Sequence, residues 1–383
     1  MRALFIIHSQ NTIYGAGRSI ANLIRNIDVN MEIDLIFPLQ IKKDNRITLE
    51  KIKKYFGENV KNVWFLPQPF RLSVLQDTFG LIAHLKNIIK EILYLCVRPY
   101  YKYIFCKGNY DFIHLNSVTL FPMLDNRWPM FLHVRESIRK PIHFWNHNLA
   151  KKMNEARGVL FINPASESLA PPCMNPHIML INPFDQTKVG KVNLQSARIR
   201  FSLSGDETVY AVIGTILYDK GVDFVIRAFQ KAKLKNAVLL IVGKNTGNDS
   251  YIQRVLRLAK NDSHIRFTGE IEDIEQVYRV IDYVVRGDTT AGLGRTVYEA
   301  LYSGCGIINP MDSVTYDVPQ ITFDMKSRVH FYTLRDENAL IKVFQETQYI
   351  RFENRAYYSN VQKYVQKFLK FVQENSGKRV VEQ

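Results

Sequence analysis

The sequence predicts an α/β protein with two doubly wound parallel sheets in series. Short apolar runs alternate with amphipathic segments along the whole chain, and polar or turn residues bound each run. A continuous apolar run is typical of a strand buried on both faces, and an amphipathic stretch after it is typical of a helix that covers the sheet. Because 383 residues exceed one ordinary core, we expect two domains.

The elements follow in order. The first half predicts strands at RALFII, IDLIFPL, FIHL, MFLHV and GVLFI, with a helix at AGRSIANLIRNI. The second half predicts strands at VYAVIG, AVLLIVG, HIRFTG and YVV, with helices at GVDFVIRAFQKA, YIQRVLRLAK and IEQVYRVI. A polar segment separates the halves, so we place the domains at residues 1–185 and 186–348. Residues 349–383 then hold a helix, from about Ile350 to Glu374, that packs back on the N-terminal domain.

The net charge and the cysteines indicate which partners and which compartment suit the chain. The net charge of +15 favours phosphate-rich partners: nucleic acid, anionic lipid or a diphosphate substrate. A basic stripe with interleaved aromatic residues, or a nucleic-acid-reading motif, is not evident, so no nucleic acid is expected. The four cysteines (Cys96, Cys106, Cys173 and Cys305) include no Cys-x-x-Cys pair, which fits a reducing cytoplasm.

The segment TTAGLGRTVYEALYSGCGII indicates a phosphate site. Gly292 and Gly294 let the backbone approach a ligand, and the N–H groups near Thr296 and Val297 offer partial positive charge at a helix start. Arg295 adds a cation there. We expect the next helix to carry one inward-facing acid, Glu299, in its first turn.

In these residues and in the segments quoted below, the chain resembles the retaining glycosyltransferases of family 4. Their GT-B fold has two Rossmann-like domains facing across a cleft, and their donor is a nucleotide sugar. The segments that carry the resemblance are YGAGRSIANLI, GTILYDKGVDFVIRAF and AGLGRTVYEALYSGC, and the match is strongest from Val209 to Pro310. Two residues depart from the family: Ala291 replaces the first signature glutamate, and Thr215 replaces a diphosphate-binding arginine. Asp288 or Arg286 and Gly287 would then reshape the donor-sugar pocket.

The resemblance implies roles for individual residues. His133, Lys220 and Glu299 are the catalytic set, in which Lys220 meets the diphosphate, Glu299 the ribose and His133 the donor sugar. The implied donor-binding residues are Gly15, Ala16, Gly214, Lys220, Gly294, Arg295, Thr296, Val297 and Glu299. The implied acceptor-binding residues are Arg135 and Glu136. A tight turn at Gly15, a solvated Lys220 and a structural His133 are the non-functional alternatives.

The resemblance therefore implies a retaining, metal-independent hexosyltransferase that needs no cofactor. It would move a hexose or N-acetylhexosamine from a nucleoside-diphosphate sugar, with UDP favoured, to a glycan or lipid-linked glycan in capsule, O-antigen or glycolipid synthesis. Two alternatives stay open: a nonhydrolysing sugar-nucleotide epimerase of the same fold, and a basic nucleic-acid-binding protein without activity. His143 and His147 have zinc-like spacing, but no third ligand accompanies them, so no metal is predicted.

The segment GLIAHLKNIIKEILYLCVRPYYKYIFCK has apolar residues at helical spacing: Leu81, Ile82, Leu85, Ile88, Ile89, Ile92, Leu93 and Cys96. After Pro99 come four aromatic residues interleaved with Lys102 and Lys107: Tyr100, Tyr101, Tyr103 and Phe105. Charges interrupt the segment too often for a span, so it predicts a helix lying in an anionic membrane interface. The protein would be cytoplasmic and peripheral on the inner face of the cell membrane. A core-facing helix followed by a surface turn is the alternative.

Overall fold

The computed structural model describes residues 1–10, 15–27, 30–39, 47–69, 81–136, 138, 148–245, 250–289, 293–311, 323–348, 350, 352 and 355–377. The chain divides into two compact units. Unit 1 joins Met1–Pro183 to Asn360–Gln383, and unit 2 is Phe184–Ser359.

Unit 1 is built on a parallel sheet. Its described strands are β1 (Arg2–Ile6), β2 (Glu32–Pro38), β3 (Val60–Leu66), β4 (Phe112–Leu115), β5 (Met130–Val134), β6 (Gly158–Phe161) and β7 (His177–Met179). Their order is β3-β2-β1-β4-β5-β6-β7, and every pairing is parallel. The order reverses between β1 and β4, and ligands of open α/β sheets bind beyond the carboxyl ends of the strands at such a reversal.

Helices cover both faces of this sheet, as the continuous apolar strands predict. The described helices before the unit boundary are α1 (Gly15–Arg25), α2 (Leu49–Phe56), α3 (Leu81–Gly108), α4 (Leu149–Met153) and α5 (Pro164–Ser168). Successive side chains of a strand point to opposite faces. Thus Ala3 and Phe5 of β1 join the core that contains α1, whereas Leu4 and Ile6 join the core that contains α3.

Unit 2 repeats this architecture. Its described strands are β8 (Thr208–Ile213), β9 (Ala237–Val242), β10 (Ile265–Gly269), β11 (Tyr283–Val285), β12 (Gly306–Met311) and β13 (Val329–Thr333). Its described helices are α6 (Leu194–Arg200), α7 (Val222–Ala232), α8 (Ser250–Ala259), α9 (Ile274–Val280), α10 (Arg295–Tyr302), α11 (Phe323–Lys326) and α12 (Glu337–Thr347). The parallel order β10-β9-β8-β11-β12-β13 reverses between β8 and β11. The predicted pair of doubly wound sheets is confirmed.

The C-terminal helix, α13 (Val361–Asn375), is shorter than expected. The prediction that it starts near Ile350 is wrong, because the described residues between 350 and 360 are not helical. There the Arg355 guanidinium donates to Asp282 at 2.8 Å and to the Ile281 carbonyl at 2.6 Å, which anchors this non-helical part of unit 2. The helix itself packs into the core of unit 1, where the Phe368 ring lies 6.3 Å from that of Phe5.

Helix α3 runs through Pro99 without ending, so the surface turn in the alternative interpretation of this segment is wrong. Its second half is held on the sheet by Tyr94, Tyr101, Ile104 and Phe105, all at most 6% exposed. The expectation that Tyr101 and Phe105 face a membrane surface is therefore wrong.

The opposite side of α3 is apolar and exposed. We call it the α3 outer face; its members are Leu85, Ile88, Ile89, Ile92, Leu93, Leu95, Cys96, Tyr100 and Tyr103. The side chains of Leu81 and Ile82 lie outside the described residues. Within the described residues, no helix has the length and apolar character needed to cross a bilayer.

Candidate functional site

In unit 2, glycines bring the loops after three strands into close contact. A Cβ on Gly221 would lie 1.9 Å from the Gly287 carbonyl oxygen, and one on Gly243 would lie 1.9 Å from that of Gly214. Gly221 also has a φ of +56°, a conformation that other residues rarely adopt. The carboxyl ends of β8 and β11, where the strand order reverses, are thus packed backbone against backbone.

Two cations share one carboxylate at this edge of the sheet. Lys220 Nζ lies 2.9 Å from Asp288 Oδ1, and Arg286 Nε lies 2.9 Å from Asp288 Oδ2. Arg286 Nη1 also donates to Asn309 Oδ1 at 3.1 Å. The Asp288 side chain is 9% exposed, whereas that of Lys220 is 39% exposed. The group carries two positive charges against one negative charge, so it attracts an anion.

The Arg286 guanidinium also lies at the start of α10. A Cβ on Gly294, the N-cap of this helix, would lie 3.3 Å from Arg286 Cζ. The Val297 N–H already donates to the Gly294 carbonyl at 3.1 Å, and Thr296 is partly exposed. A fixed cation and a helix N-terminus therefore meet at one place.

Glu299 is the fifth residue of α10, so its predicted place in the first turn is wrong. The helix begins only at Arg295, after the extended Gly294. The Glu299 carboxylate is held by side chains: Arg295 Nε lies 2.7 Å from Oε1, and the Tyr278 hydroxyl donates to Oε2 at 3.0 Å. The Arg295 guanidinium also stacks on Phe184, 4.8 Å from the ring centroid. Glu299 is 5% exposed.

In unit 1, His133 lies near the carboxyl end of β5 and is fully buried. Its Nδ1 is 3.1 Å from Nε2 of His114 on the neighbouring strand β4, so one ring donates to the other. Burial, together with the nearby Arg135 charge, holds the pKa of each histidine well below its usual range. Both rings are therefore neutral near pH 7, and His133 Nε2 has no partner among the described residues.

Arg135 follows β5 and is 7% exposed. Its Nε donates to Asn116 Oδ1 at 2.5 Å, and its Nη1 donates to Asn182 Oδ1 at 2.7 Å. Glu136 faces other donors: it accepts from the Ser117 hydroxyl at 2.7 Å and from the Val118 N–H at 3.1 Å. The two predicted acceptor residues thus lie side by side, but their charged groups are not paired.

The remaining predicted residues have simpler surroundings. Gly15 has a φ of +48° and is the first residue of α1, and Ala16 follows it inside the helix, so the two residues are not part of a loop. Gly214 directly follows β8, and Thr215 beside it is partly exposed. Ala291 and Gly292 lie outside the described residues.

The described residues contain no group of three or more His, Cys, Asp or Glu side chains suited to a metal ion. His143 and His147 lie outside the part of the chain that the structure describes. The cations Lys220 and Arg286 suit an anion, and the Glu299 carboxylate suits hydroxyl donors.

Several contacts of the candidate site could not be predicted from the sequence. Tyr278 precedes its partner Glu299 by 21 positions, and Asp288 follows Lys220 by 68 positions, so no local spacing reveals either pair. From the sequence, Arg286 is expected only to reshape the donor-sugar pocket. The pairing of His114 with His133 was foreseeable in principle, because β4 and β5 were predicted as successive parallel strands.

Comparison with solved structures places this geometry in a known fold. The Anabaena protein HepE, solved in complex with UDP and glucose, is similar over 98% of this chain and 100% of its own, with 16% identity and a TM-score of 0.67. The sucrose-phosphate synthase of Thermosynechococcus elongatus is similar over 98% and 97%, with 14% identity and a TM-score of 0.67. The chain has the GT-B fold.

Sequence comparison agrees with this fold. The profile of the family described as Glycosyl transferases group 1 matches residues 195–310. The GtfA subunit of a UDP-N-acetylglucosamine–peptide N-acetylglucosaminyltransferase from Limosilactobacillus reuteri is 28% identical over 150 residues, which are 36% of this chain and 29% of that protein. Together these findings show the GT-B fold and a segment similar to Glycosyl transferases group 1, and the chain spans less than a third of the length of the GtfA subunit. The narrower family 4 stays a prediction.

Proposed function

We propose that this protein is a retaining glycosyltransferase of family 4 that moves a hexose or N-acetylhexosamine from a UDP-sugar to a saccharide acceptor. One observation carries the proposal: Lys220 and Arg286 share a single carboxylate beside the start of α10, at the strand reversal of unit 2. HepE has been solved with UDP and with UDP-glucose, and GtfA is named for a UDP-sugar reaction, which favours UDP as the base.

The diphosphate of the donor would meet this excess of positive charge. Lys220, Arg286 and Arg295 are candidates to stabilise the negative charge that grows on the leaving diphosphate, as fixed cations and helix N-termini do. Arg286 takes the part that the family gives to an arginine at position 215. Gly214 and Gly294 allow the backbone to approach the phosphates, together with the N–H of Thr296.

Glu299 would bind the ribose hydroxyls. A carboxylate is acceptor-only, and that of Glu299 already accepts from Arg295 and Tyr278, so it is suited to bind hydroxyl donors. His133, with Gly15 and Ala16, is proposed to contact the donor sugar.

The reaction step would proceed on one face of the sugar. The acceptor oxygen bonds to the anomeric carbon as the bond from that carbon to the diphosphate oxygen breaks, and the acceptor proton passes to the diphosphate. Asp288 is engaged by two cations, and Glu299 by Arg295 and Tyr278, so neither carboxylate is arranged as a nucleophile. This supports a mechanism in which the leaving group serves as the base.

A thermal-shift panel with UDP, GDP, ADP and CMP tests the donor class, followed by an assay of UDP release from UDP-glucose and UDP-N-acetylglucosamine. We expect stabilisation by UDP only. Conversion of UDP-N-acetylglucosamine to its C2 epimer without an acceptor would instead favour the epimerase. Stabilisation by an oligonucleotide but by no nucleotide would favour the nucleic-acid-binding protein.

The stereochemistry and the metal requirement need a separate test. We expect NMR of the product to show the donor's anomeric configuration, and excess EDTA to leave most activity intact. Inversion would reject the proposed step, and a strict requirement for magnesium or manganese would reject diphosphate binding by protein cations alone.

The acceptor is proposed to be lipid-linked, with the α3 outer face resting on an anionic membrane. At 100° per residue the exposed apolar positions from Leu85 to Tyr103 fall within an arc of about 160°, and they extend over about 27 Å. The exposed Lys102 and Lys107 lie beside its C-terminal half. An apolar stripe with flanking lysines suits the headgroup region of an anionic bilayer.

Co-sedimentation with phosphatidylcholine vesicles, with and without phosphatidylglycerol, tests this contact. We expect binding that needs phosphatidylglycerol, weakens with salt and falls when Lys102 and Lys107 are changed to Glu. The matched control changes Lys61 of β3 and Lys363 of α13, two exposed lysines of unit 1, to Glu. Equal sedimentation of both double variants would reject the α3 outer face as a membrane contact.

A further inference from the structure

Arg135 of unit 1 carries a buried charge that nothing described neutralises. Its guanidinium is held by the amide oxygens of Asn116 and Asn182, which are neutral. Within the described residues, its third nitrogen, Nη2, is buried without a hydrogen-bond partner, and no carboxylate lies within 4.0 Å of the guanidinium. A buried cation normally has an opposite charge beside it, because desolvation without one destabilises the fold.

Other unsatisfied polar atoms lie around Arg135. Asn116 Nδ2, His133 Nε2 and His8 Nδ1 are buried and have no hydrogen-bond partner among the residues that the structure describes. Asn116 and His133 are fully buried. All three residues come from the carboxyl ends of β1, β4 and β5, next to the strand reversal of unit 1. Unpartnered groups are rare in folded proteins, and several at one sheet edge indicate a place that a ligand completes.

The chemistry of these groups selects an anion. Guanidinium and amide nitrogens are donors, and a planar guanidinium matches the oxygens of a phosphate or a carboxylate. Glu136 does not compete for the guanidinium, since its oxygens accept from the Ser117 hydroxyl, the Val118 N–H and the Arg135 backbone N–H.

We propose that Arg135, Asn116 and Asn182 form an oxyanion site for the acceptor, so that the acceptor carries a phosphate or a carboxylate near the sugar that is extended. This inference rests on the proposed glycosyl transfer, in which the donor diphosphate is bound by the cations of unit 2. A lipid-linked sugar phosphate and a uronic acid both carry the required group.

The test uses the full chain and two variants. Asn182→Asp keeps the oxygen that accepts from Arg135 Nη1 and adds the missing negative charge beside it. Arg135→Gln removes the cation. The matched control is Gln366→Glu, which adds the same charge at an exposed position of α13. Thermal unfolding is measured in sodium phosphate, sodium glucuronate, sodium chloride of equal ionic strength and neutral glucose, each with and without saturating UDP.

We expect phosphate or glucuronate to raise the Tm of the wild type, also in saturating UDP, and neither to stabilise Asn182→Asp or Arg135→Gln. Asn182→Asp without ligand should melt about 2 to 4 °C above the wild type, because it neutralises a buried charge. Gln366→Glu should behave as the wild type. A response to phosphate alone identifies a phosphorylated acceptor, and a response to glucuronate alone identifies a uronic acid.

Equal anion effects in the wild type and both variants would overturn the proposal. So would an effect that disappears in saturating UDP, because Arg135 would then bind the donor diphosphate. If one of the two variants, Asn182→Asp or Arg135→Gln, does not fold, the Tm shift of the other variant with the anions is compared with that of the wild type. If the anions raise the Tm but UDP does not, the anion site stands and the proposed UDP-sugar reaction is rejected. Failure of the anion site and failure of the proposed function therefore give different results.

Discussion

The two units present cations at the same edge of similar sheets, but they hold them differently. In unit 2, Asp288 bridges Lys220 and Arg286, and Glu299 holds Arg295, so each cation has a fixed carboxylate partner. In unit 1, the partners of the Arg135 guanidinium among the described residues are amide oxygens. Paired charges are positioned before a ligand arrives, which suits stabilisation of a transition state. An unpaired charge is completed by its ligand, which suits recognition.

The largest effect should follow the loss of a positioned charge in unit 2. We expect Lys220→Ala to lower kcat by about 100-fold with a smaller change in the donor KM, because its charge meets negative charge that develops in the transition state. Steady-state kinetics measures both. Lys342→Ala, an exposed lysine of the same unit, is the control. A lower Tm with unchanged kcat would make Lys220 a structural residue.

A second effect should come from the carboxylate of α10. Glu299→Gln should weaken donor binding and reduce transfer by at least about tenfold, or about 1.4 kcal/mol, because an amide offers one acceptor oxygen instead of two. Tyr278→Phe removes one bond to this carboxylate without removing charge, so its effect should be smaller. Unchanged kinetics in Glu299→Gln, measured as kcat and donor KM, would contradict ribose binding.

A smaller effect tests the charge pairing itself. Asp288→Asn gives Lys220 and Arg286 an amide partner, as Arg135 has in unit 1. We expect UDP to bind several-fold more tightly at low salt and the gain to shrink at high salt, since one negative charge is lost beside the diphosphate. Calorimetry at two salt concentrations measures this. Glu346→Gln, at an exposed site, should leave affinity unchanged, and an equal affinity in Asp288→Asn would contradict the prediction.

The mildest effect concerns pH. His114 and His133 have a lowered pKa in the folded state, so the unfolded state binds protons first as the pH falls below about 6.5. The part of the free energy of unfolding that depends on neutral histidines is complete above that pH. Below it, this part falls by up to about 1.4 kcal/mol per pH unit for each histidine. We expect unit 1 to melt at lower temperature at pH 5 than at pH 7, and His114→Gln to reduce the difference.

Tryptophan fluorescence isolates this change, because Trp64, Trp128 and Trp145 all belong to residues 1–183. His177→Gln, which alters an exposed histidine of the same unit, is the control. If His114→Gln and His177→Gln have the same pH dependence, the buried pair does not control the stability of unit 1.

Much of the fold followed from local pattern. The apolar strand runs and the amphipathic segments predicted both doubly wound sheets, because burial on two faces forces continuous apolar strands. The local sequence pattern gave wrong helix ends where contacts with residues distant in the sequence determine the structure. Pro99 marks a helix end in isolation, yet α3 continues through it while Tyr94 and Tyr101 pack on either side of it. The pattern near Arg355 predicts a helix, yet Arg355 lies outside one and forms an ion pair with Asp282.

The candidate site divides in the same way. The glycines and Lys220 were foreseeable, because turns and helix starts have local signatures. The partners were not: Asp288 and Tyr278 meet Lys220 and Glu299 only through the fold. Nor does the sequence reveal that, in the part of the chain that the structure describes, the Arg135 guanidinium has no carboxylate partner, since Glu136 is its neighbour in the chain.

The position of α13 has a consequence for biosynthesis. Phe368 contacts Phe5 of β1 and Phe112 of β4, so the core of unit 1 contains both β1 and residues 361–372. The ribosome releases residues 361–372 only after the continuous segment of unit 2. Synthesis of unit 1 therefore starts before that of unit 2 but its core closes afterwards, and until then the nascent chain exposes the aromatic side of its sheet to chaperones.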